Sequence, residues 1–387
     1  HVDRAQFDVR LGVLATMGAY CGQLDRRWLL SRATETRWGN TGTNRDWLTA
    51  AGLWRAAASP ARVYGWLRSF RPHVVVSFMK GMAMCALPAL AVHGRRRVGW
   101  IVREGNNVDA VIDDEMATRA GGGAMRWLVR RAYRSADVVV AISDGVASCV
   151  TDSLGVDRQR VRRIYNAVDL ELVTRRAAEP RDGLPERFLL AAGRLEHQKG
   201  FDVLVRAFSE TRARHETQLV ILGEGPERRS LEALVRDCGL TGRVSMPGFV
   251  DNPWSYMARA QAFVLPSRWE GFGNVVVEAM ACGTPVIVTD CDYGPREVVR
   301  HGVSGLVVRS EDAGELARSI DLVCEDRPLR GALGARGAER ARDFDVRGVV
   351  RRYEDVFRIA ARSAGRAPYN ASCARTVDAP RGSCPSP

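Results

Sequence analysis

Short, almost continuously apolar runs alternate along this chain with longer stretches of helical spacing. In the first 178 residues such runs lie at 7–14, 73–78, 98–102, 137–142 and 161–165. Runs such as HVVVSF and DVVVAI are typical of strands that are buried on both faces, and each is too short for a helix. Strands of this kind separated by helices indicate a parallel sheet that is covered on both sides.

A second series of the same kind follows a polar linker with two prolines at 174–187. Its predicted strands are 188–192, 218–222, 243–246, 262–265, 284–289 and 305–308. Its predicted helices are 201–214, 227–238, 253–259, 273–282 and 311–325. The pattern therefore predicts an α/β protein with two Rossmann-like, doubly wound domains that face each other across a cleft. Ligands of such sheets bind at the carboxyl ends of the strands.

The same pattern divides the chain into four parts. An N-terminal domain at 1–178 and a C-terminal domain at 179–345 are followed by an amphipathic helix at 346–363. The tail at 364–387 is rich in Pro, Ser, Ala and Arg, and we expect it to be disordered. The apolar side of the helix is formed by Val349, Val350, Tyr353, Val356 and Phe357.

Composition narrows the classes of protein that fit. The 387 residues suffice for two cores, and no apolar run approaches the roughly 18 residues that a membrane span needs. The net charge of +12 allows an anionic partner or membrane surface, but no zinc-finger spacing or RNP motif predicts nucleic-acid binding. Nine cysteines without a CxxC predict reduced thiols of a cytoplasmic protein, and no disulfide frame or zinc site.

Most of the candidate ligand-binding residues lie at 267–290, where a polar loop, a helix and a buried strand follow one another. Glu270 lies in the loop, and Glu278 lies eight positions further on, inside the helix. The free N–H groups at the start of that helix, with its dipole, favour an anion, and the neighbouring carboxylates suit hydroxyl groups. This combination predicts a nucleotide-sugar site. The structural alternative is a tight glycine turn with Glu278 on the protein surface.

A second loop with suitable charges opens the C-terminal series. The strand at 188–192 ends in Gly193 and Arg194, and Lys199 follows before the next helix. Both cations can reach one anion there, as a leaving nucleoside diphosphate requires. The alternative is a solvated loop with two surface charges. Glycine loops after the next two strands, at Gly223 and Gly248, would line the same cleft.

Taken together, these motifs resemble the retaining glycosyltransferases of family 4, which have the two-domain GT-B fold. GRLEHQKG, ILGEGPE, MPGF, LPSRWEGFGNVVVEAMACGTPVIVTD and GVSGLVV stand in that family's order and spacing. The resemblance covers about 70–340. It implies transfer of a hexose or N-acetylhexosamine from a nucleotide sugar, with UDP favoured, to a glycan or polyprenyl-linked glycan acceptor, with retention. SFMKGMA and DYGPREVV are similar to a subgroup that builds bacterial surface glycans.

The resemblance implies a role for each matching residue. Arg194 and Lys199 would bind the donor diphosphate and stabilise the leaving group, in a front-face mechanism whose phosphate oxygen takes the acceptor proton. Glu270 would bind hydroxyls of the transferred sugar, and Glu278 those of the ribose. No cofactor and no metal are expected, although Asp290 and Asp292 form a DxD pattern. Further donor contacts are implied for Gly193, Gly223, Gly248, Phe249, Gly271, Phe272, Gly273, Asn274 and Val275.

Two departures from the family concern the N-terminal domain. Arg103 and Glu104 stand where many members have a histidine, so both are candidate acceptor-side residues. The alternatives are that they pair with each other or cap a loop. The strand at 7–14 matches the family's second strand, so we expect that the first strand and its glycine-rich loop are missing from this chain and that its activity is affected.

A basic helix suggests a further partner. Arg126, Arg130, Arg131 and Arg134 share it with Trp127, Leu128 and Tyr133, and His93–Arg97 adds cations nearby. This surface suits anionic lipid, at the inner face of the plasma membrane, but equally suits an ordinary solvated helix.

Of two functions other than sugar transfer, one stays open and one is disfavoured by the sequence. A non-catalytic sugar-nucleotide or glycan binder fits the same fold, whereas a dinucleotide oxidoreductase lacks its glycine fingerprint.

Overall fold

The computed structural model describes residues 1–12, 50–94, 98–106, 108, 111–112 and 122–365. Its strands form two sheets in which every pair is parallel. The first sheet has four strands in chain order, β1 (Val74–Phe78), β2 (Gly99–Glu104), β3 (Val138–Ala141) and β4 (Val161–Arg163).

The second sheet has six strands in the order β10-β9-β8-β5-β6-β7. These strands are β5 (Phe188–Ala192), β6 (Gln218–Leu222), β7 (Val244–Gly248), β8 (Ala262–Leu265), β9 (Val286–Thr289) and β10 (Leu306–Val308). The chain order reverses between β5 and β8, so the switch point at which doubly wound sheets bind ligands lies between these two strands. The prediction of an α/β fold with two parallel sheets is confirmed.

Helices flank both sheets. On the N-terminal side they are α1 (Ala50–Phe70), α2 (Met79–His93), α3 (Gly122–Ser135), α4 (Asp144–Ser148) with the π-helix Cys149–Ser153, and α5 (Leu170–Ala177). On the C-terminal side they are α6 (Phe201–Glu210), α7 (Arg228–Asp237), α8 (Trp254–Met257), α9 (Asn274–Ala281), α10 (Pro295–Val298), α11 (Ala313–Glu325), α12 (Arg327–Ala341) and α13 (Val346–Ser363).

Two predicted segments differ from the structure. The predicted strand at 7–14 is wrong over its described part, because Phe7–Gly12 is irregular apart from a bridge at Leu11; residues 13–14 lie outside the described residues. The ring of Phe7 packs against Phe357 of α13 at 5.9 Å, so helix α13 holds the start of this segment. The linker prediction begins too early, since α5 includes 174–177.

The long helix α13 packs on the four-stranded sheet. Val349, Val356 and Ala360 are buried there with Ile101 and Val138 of the sheet. Each fully buried Val contributes about 1.5–3 kcal/mol relative to an exposed one. The helix crosses the sheet so closely that a Cβ on Gly99 would lie 2.3 Å from the carbonyl oxygen of Ala360. Of the predicted tail, residues 366–387 lie outside the described residues.

Candidate active site

A buried ion pair joins the loops that follow β5 and β8, at the switch point of the second sheet. Lys199 Nζ lies 2.5 Å from Glu270 Oε1, and the two side chains are 18% and 8% exposed. Ser267 Oγ donates a second hydrogen bond to the same oxygen at 2.8 Å. Because both bonds use Oε1, the carboxylate is fixed in orientation. Its second oxygen, Oε2, has no hydrogen-bond partner among the described residues and can accept from a ligand.

The two loops are also tied together through their backbones. Arg268 N donates to the carbonyl oxygen of Gln198 at 2.8 Å, and Gln198 Nε2 donates to that of Trp269 at 2.9 Å. Gly200 has a φ of +62°, and a Cβ there would lie 2.1 Å from the carbonyl oxygen of Pro266. Only glycine allows this approach, so the sequence KG after the HQ turn is what brings Lys199 to Glu270.

Arg268 connects the loop that follows β8 with the start of α6. Its Nη1 and Nη2 donate to Asp202 Oδ1 and Oδ2, each at 2.8 Å, which is the bidentate geometry that strengthens such pairs. The Arg268 guanidinium lowers the pKa of the Asp202 carboxyl below its usual value. Arg268 Nη1 also donates to the carbonyl oxygen of His197 at 2.8 Å, so it fixes the turn that carries Lys199.

Arg194 occupies a different position from Lys199. Its side chain is 63% exposed and forms an ion pair with Glu196 at 3.1 Å. The Lys199 stem instead passes over Gly193, where a built Cβ would lie 3.4 Å from Lys199 Cδ and Cε. The structure therefore brings Lys199, and not Arg194, to Glu270. Exposed ion pairs contribute only about 0–1 kcal/mol, so little holds Arg194 in place.

The glycines that follow β5 and β6, and the one that ends β7, allow the strand ends to lie close together. Gly193 N donates to the carbonyl oxygen of Leu222 at 3.0 Å, and Gly223 N donates to that of Gly248 at 2.8 Å. A Cβ on Gly223 would lie 1.9 Å from the carbonyl oxygen of Gly193. Beside them the Phe249 side chain is 61% exposed. The glycines shape the floor of the site, and Phe249 is the one of these predicted contacts with an exposed ring.

The start of α9 lies next to Glu270. Its N-cap, Gly273, has a φ of +85°, and no side chain caps the helix. The N–H groups of the first turn, at Asn274 and the half-buried Val275, therefore keep their capacity to bind an anion. Phe272 differs from its neighbours, because its side chain is buried in the core and only its backbone can contribute to the site.

Glu278 is half-buried, so it is not an exposed residue of the helix surface. Trp254 Nε1 donates to its Oε2 at 3.0 Å. Burial raises the pKa of the Glu278 carboxyl, and the Trp254 hydrogen bond partly offsets this effect. Burial, and then the charge of Glu278, raises the pKa of Cys282 to about 12, so this thiol is a weak nucleophile.

Arg103 and Glu104 are the last two residues of β2, and their side chains contact different neighbours. Adjacent strand residues point to opposite faces, so the two do not pair with each other. Glu104 is buried and caps its own loop, since its Oε1 accepts from Gly105 N at 2.7 Å and Asn106 N at 2.9 Å. Its Oε2 accepts from Tyr133 Oη. Burial raises the pKa of the Glu104 carboxyl.

Several contacts among the described residues join the carboxyl edges of the two sheets, including three that use polar or backbone groups. A Cβ on Gly271 would lie 1.9 Å from the carbonyl oxygen of Gly105, so the two backbones touch there. Asn166 Nδ2 donates to Asn274 Oδ1 at 2.7 Å. Glu297 accepts from the backbone N–H of Asp144 at 2.8 Å and of Gly145 at 3.1 Å.

Sequence reasoning missed Asn166 and Glu297. The signals were an asparagine directly after a predicted strand, and the glutamate of the DYGPREVV segment. Neither residue type indicates by itself that its partner lies in the other half of the chain.

Of the DxD pattern, Asp292 lies beside the site, because Glu270 N donates to its carbonyl oxygen at 3.4 Å. Asp290 forms an ion pair with Arg296 at 3.3 Å, and no group of three or more potential metal ligands occurs among the described residues. The expectation that no metal takes part stays a prediction. No helix in the described part of the chain is long and apolar enough to span a bilayer. A cavity of about 770 Å³ lies between α1, β1 and α13 and is lined by none of the predicted site residues.

The basic helix α3 exposes part of its predicted surface. Trp127 is 62% exposed, and the Arg131 guanidinium lies 5.7 Å from its ring centroid. Arg130 Nε and Arg134 Nε donate to the carbonyl oxygens of Ser153 and Leu154, each at 2.9 Å. These two cations are therefore partly engaged in binding the neighbouring π-helix segment.

Comparison with known proteins agrees with this geometry. Residues 176–340 match the family model described as Glycosyl transferases group 1, and residues 22–172 match Glycosyltransferase Family 4. An N-acetylgalactosaminyltransferase of Campylobacter jejuni, named for the substrate N-acetylgalactosamine-N,N'-diacetylbacillosaminyl-diphospho-undecaprenol, is 33% identical over 57% of this chain and 60% of its own. The lipopolysaccharide core glycosyltransferase LpsE of Rhizobium meliloti is 34% identical over 54% and 59%. The chain thus spans about 60% of the length of these relatives.

Solved structures show the same fold. Sucrose-phosphate synthase from Thermosynechococcus elongatus superposes with a TM-score of 0.67 at 23% identity, over 79% of this chain and 78% of its own. Anabaena Alr3699/HepE in complex with UDP superposes with a TM-score of 0.65 at 20% identity, over 78% and 81%. The two family models together match 22–172 and 176–340, and the chain belongs to the glycosyltransferases of the GT-B fold.

Proposed function

We propose that this chain transfers a hexose or N-acetylhexosamine from a UDP-sugar to a glycan or lipid-linked glycan acceptor, with retention of configuration. The observation that carries the proposal is the buried Lys199–Glu270 pair at the switch point, beside the uncapped start of α9. The printed names of two relatives, one acting on a diphospho-undecaprenol-linked sugar and one in lipopolysaccharide core synthesis, support the kind of acceptor. The UDP bound to the Anabaena structure supports the donor.

Lys199 is the central residue of the proposed mechanism. In this structure it is paired with Glu270, and a bound donor would offer its diphosphate as a second anionic partner. Lys199 would then connect the carboxylate that binds the sugar with the phosphate that leaves. Negative charge grows on the leaving oxygen in the transition state, and a prepositioned donor group there contributes about 2.7–4 kcal/mol. The exposed Arg194 can swing towards the same phosphate.

The carboxylates orient the donor. Glu270 would accept hydrogen bonds from the sugar hydroxyls through Oε2, because Oε1 is occupied by Lys199 and Ser267. Glu278 would bind the ribose hydroxyls through Oε1, because Trp254 occupies Oε2. In a front-face reaction the leaving phosphate oxygen takes the acceptor proton, so no carboxylate nucleophile is required. The cations supply the stabilisation of charge that a metal supplies in other transferases.

A thermal-shift panel with UDP, GDP, ADP and NAD tests the donor site. A ligand at about 100 times its Kd adds ~2.7 kcal/mol of stability, and we expect this shift with UDP. Lys199→Ala should abolish the shift, whereas Arg187→Ala, which removes an exposed ion pair to Glu216, should leave it unchanged. A UDP shift that survives Lys199→Ala, or a shift with NAD alone, contradicts the proposed site.

Turnover separates an enzyme from a non-catalytic binding protein. UDP release from UDP-glucose, UDP-N-acetylglucosamine and UDP-N-acetylgalactosamine should be detectable and should fall strongly in Glu270→Ala. The affinity for UDP alone should be kept or increased, because Lys199 is then free of its carboxylate partner. A chain that binds UDP tightly but releases none from any of these donors, with or without a polyprenyl-diphosphate-linked sugar, is a binding protein.

We also propose that α3 docks on the anionic inner surface of the plasma membrane. Trp127 and Arg131 form an exposed aromatic and cationic pair, and Val92 at the end of the adjacent α2 is 75% exposed. Cosedimentation with phosphatidylglycerol vesicles should exceed that with phosphatidylcholine vesicles and should be lost in Trp127→Asp. Arg336→Ala, on an exposed face of α12, is the matched control. Equal sedimentation with both lipids contradicts the proposal.

A further inference from the structure

A chain of polar contacts runs from the N-terminal sheet to the helix that starts at the proposed donor site. Arg103, near the carboxyl end of β2, donates through Nη2 to Asn166 Oδ1. Asn166, which follows β4, donates through Nδ2 to Asn274 Oδ1 at 2.7 Å. Asn274 is the first residue of α9. One amide side chain therefore contacts both an acceptor-side candidate and the start of the donor-side helix.

The amide of Asn166 suits this position chemically. Its oxygen accepts from a guanidinium while its nitrogen donates to a second side chain. An ionised carboxylate only accepts, and a hydroxyl donates and accepts through a single atom. The contact with Asn274 crosses from one sheet's edge to the other. It lies close to the backbone contact between Gly105 and Gly271, because these glycines neighbour β2 and α9 in sequence.

Contacts on two sides orient the Arg103 guanidinium. Nε donates to Tyr353 Oη at 3.3 Å and Nη2 to Asn166, while the guanidinium lies 5.4 Å from the Phe78 ring centroid. Nη1 has no hydrogen-bond partner in the part of the chain that the structure describes. A Cβ built on Gly105 would lie 3.1 Å from Nη1, so this donor sits beside the loop that touches Gly271, the residue after Glu270.

We infer that Asn166 is a positioning residue for the proposed transfer. It holds the Arg103 guanidinium at a fixed position relative to the start of α9, with Nη1 directed to the cleft. A substrate oxygen that meets Nη1 is thereby placed relative to the donor phosphate, which α9 would bind. The inference rests on the proposed function and adds to it a residue in the other half of the chain. Misplacing reacting groups by about 1 Å costs on the order of 10²-fold in rate.

The test measures acceptor-dependent UDP release, from the UDP-sugar that the unsubstituted chain uses best and with a polyprenyl-diphosphate-linked sugar as the acceptor, because Arg103 lies on the acceptor side. Asn166→Ala should lower kcat about tenfold and leave the KM for the donor within twofold, since the proposed donor contacts all belong to the C-terminal half. Asn166→Asp keeps an acceptor for Arg103 but loses the donor to Asn274, so it should recover only part of kcat. Gln159→Ala, which shortens an exposed amide just before β4, should change neither constant.

A double-substitution cycle completes the test. If Asn166 acts through Arg103, then Arg103→Ala with Asn166→Ala should be no slower than Arg103→Ala alone. Additive losses, a rise in KM equal to the fall in kcat, or no recovery with Asp would overturn the inference and leave Asn166 with a structural role only. Absence of UDP binding and release in the unsubstituted chain overturns the proposed function itself, and the inference with it, before any variant is made.

Discussion

The two sheet edges that face each other across the cleft are built in different ways. On the C-terminal side the contacts are made largely by backbone, through glycines such as Gly200 and Gly223, whose added Cβ atoms would lie about 2 Å from a carbonyl oxygen. On the N-terminal side they are made by side chains, through Arg103 and the buried carboxylate of Glu104. The first kind of edge depends on a close approach of backbones that only glycine allows, and the second depends on the identity of individual side chains.

This difference determines what each edge can do. A backbone edge offers N–H groups and a floor of constant shape, which suits the part of a donor that does not vary, the diphosphate. A side-chain edge changes its charge and shape with single substitutions, which suits an acceptor that differs between relatives. If the two edges divide the work in this way, catalysis depends on the first edge, whereas stability and the alignment of the two halves depend on the second.

The largest effect is expected at the cation of the backbone edge. Lys199→Ala should lower kcat for UDP release about 10²–10³-fold and weaken UDP binding, because it removes the charge beside the leaving phosphate. It also leaves Glu270 buried without its partner. Steady-state kinetics and calorimetry measure both quantities. Arg194→Ala, at an exposed position, should have the smaller effect; a larger effect at Arg194 would reverse the assignment of the central cation.

On the side-chain edge, Glu104→Ala should lower the free energy of unfolding by roughly 3 kcal/mol, because three donors lose their acceptor in a buried site. Those donors are the N–H groups of Gly105 and Asn106 and the hydroxyl of Tyr133. Urea titration measures the loss. Glu104→Gln, which keeps an acceptor of the same shape, should lose less. Equal losses in the two variants would contradict the hydrogen-bonding explanation.

Gly271→Ala tests the contact between the two edges. The added Cβ would meet the carbonyl oxygen of Gly105 at 1.9 Å, so the two loops must separate by about 1 Å to relieve the clash. We expect kcat to fall about 10- to 100-fold with a smaller change in UDP affinity. Gly348→Ala, in α13 with open space around it, is the control and should be neutral or slightly stabilising. Unchanged turnover in Gly271→Ala would show that the edges need not touch.

The smallest effect is expected for Glu278→Gln. Burial raises the pKa of this carboxyl in the folded chain, so its contribution to stability is present below the unfolded pKa and is lost as pH rises through the folded pKa. The Gln variant should therefore have the higher Tm at pH 8, and the difference should close towards pH 4. UDP affinity should fall about three- to tenfold. A lower Tm at pH 8 would contradict this sign.

The sequence predicted the backbone edge well because its information is local. Strands β5, β6 and β8 begin and end where the apolar runs placed them, and the glycine loops lie where the motifs indicated. The functions of Arg194, Lys199 and Glu270 stay predictions. Lys199 and Glu270 were expected in one site, but their direct contact was not, because the two residues lie 71 positions apart.

The side-chain edge was predicted poorly because its contacts are long in sequence. Arg103 bonds to Tyr353, 250 positions away, and Glu297 bonds to Asp144, 153 positions away. One alternative could have been excluded earlier, since the strand's two-residue period already prevents Arg103 and Glu104 from pairing. Helix α12 was missed, since its Arg, Gly and Ala residues show little periodicity of apolar positions.

The contact between Gly105 and Gly271 has a consequence for recombining halves of related proteins. The group that Gly271 must avoid is a backbone carbonyl, which every amino acid carries, so the requirement for glycine is one-sided. A chimera that keeps this C-terminal half tolerates many residues at 105 in a foreign N-terminal half. The reverse chimera requires glycine at 271 in whichever C-terminal half it receives. Libraries of such chimeras should therefore select their C-terminal halves by one criterion, a glycine at the position of Gly271.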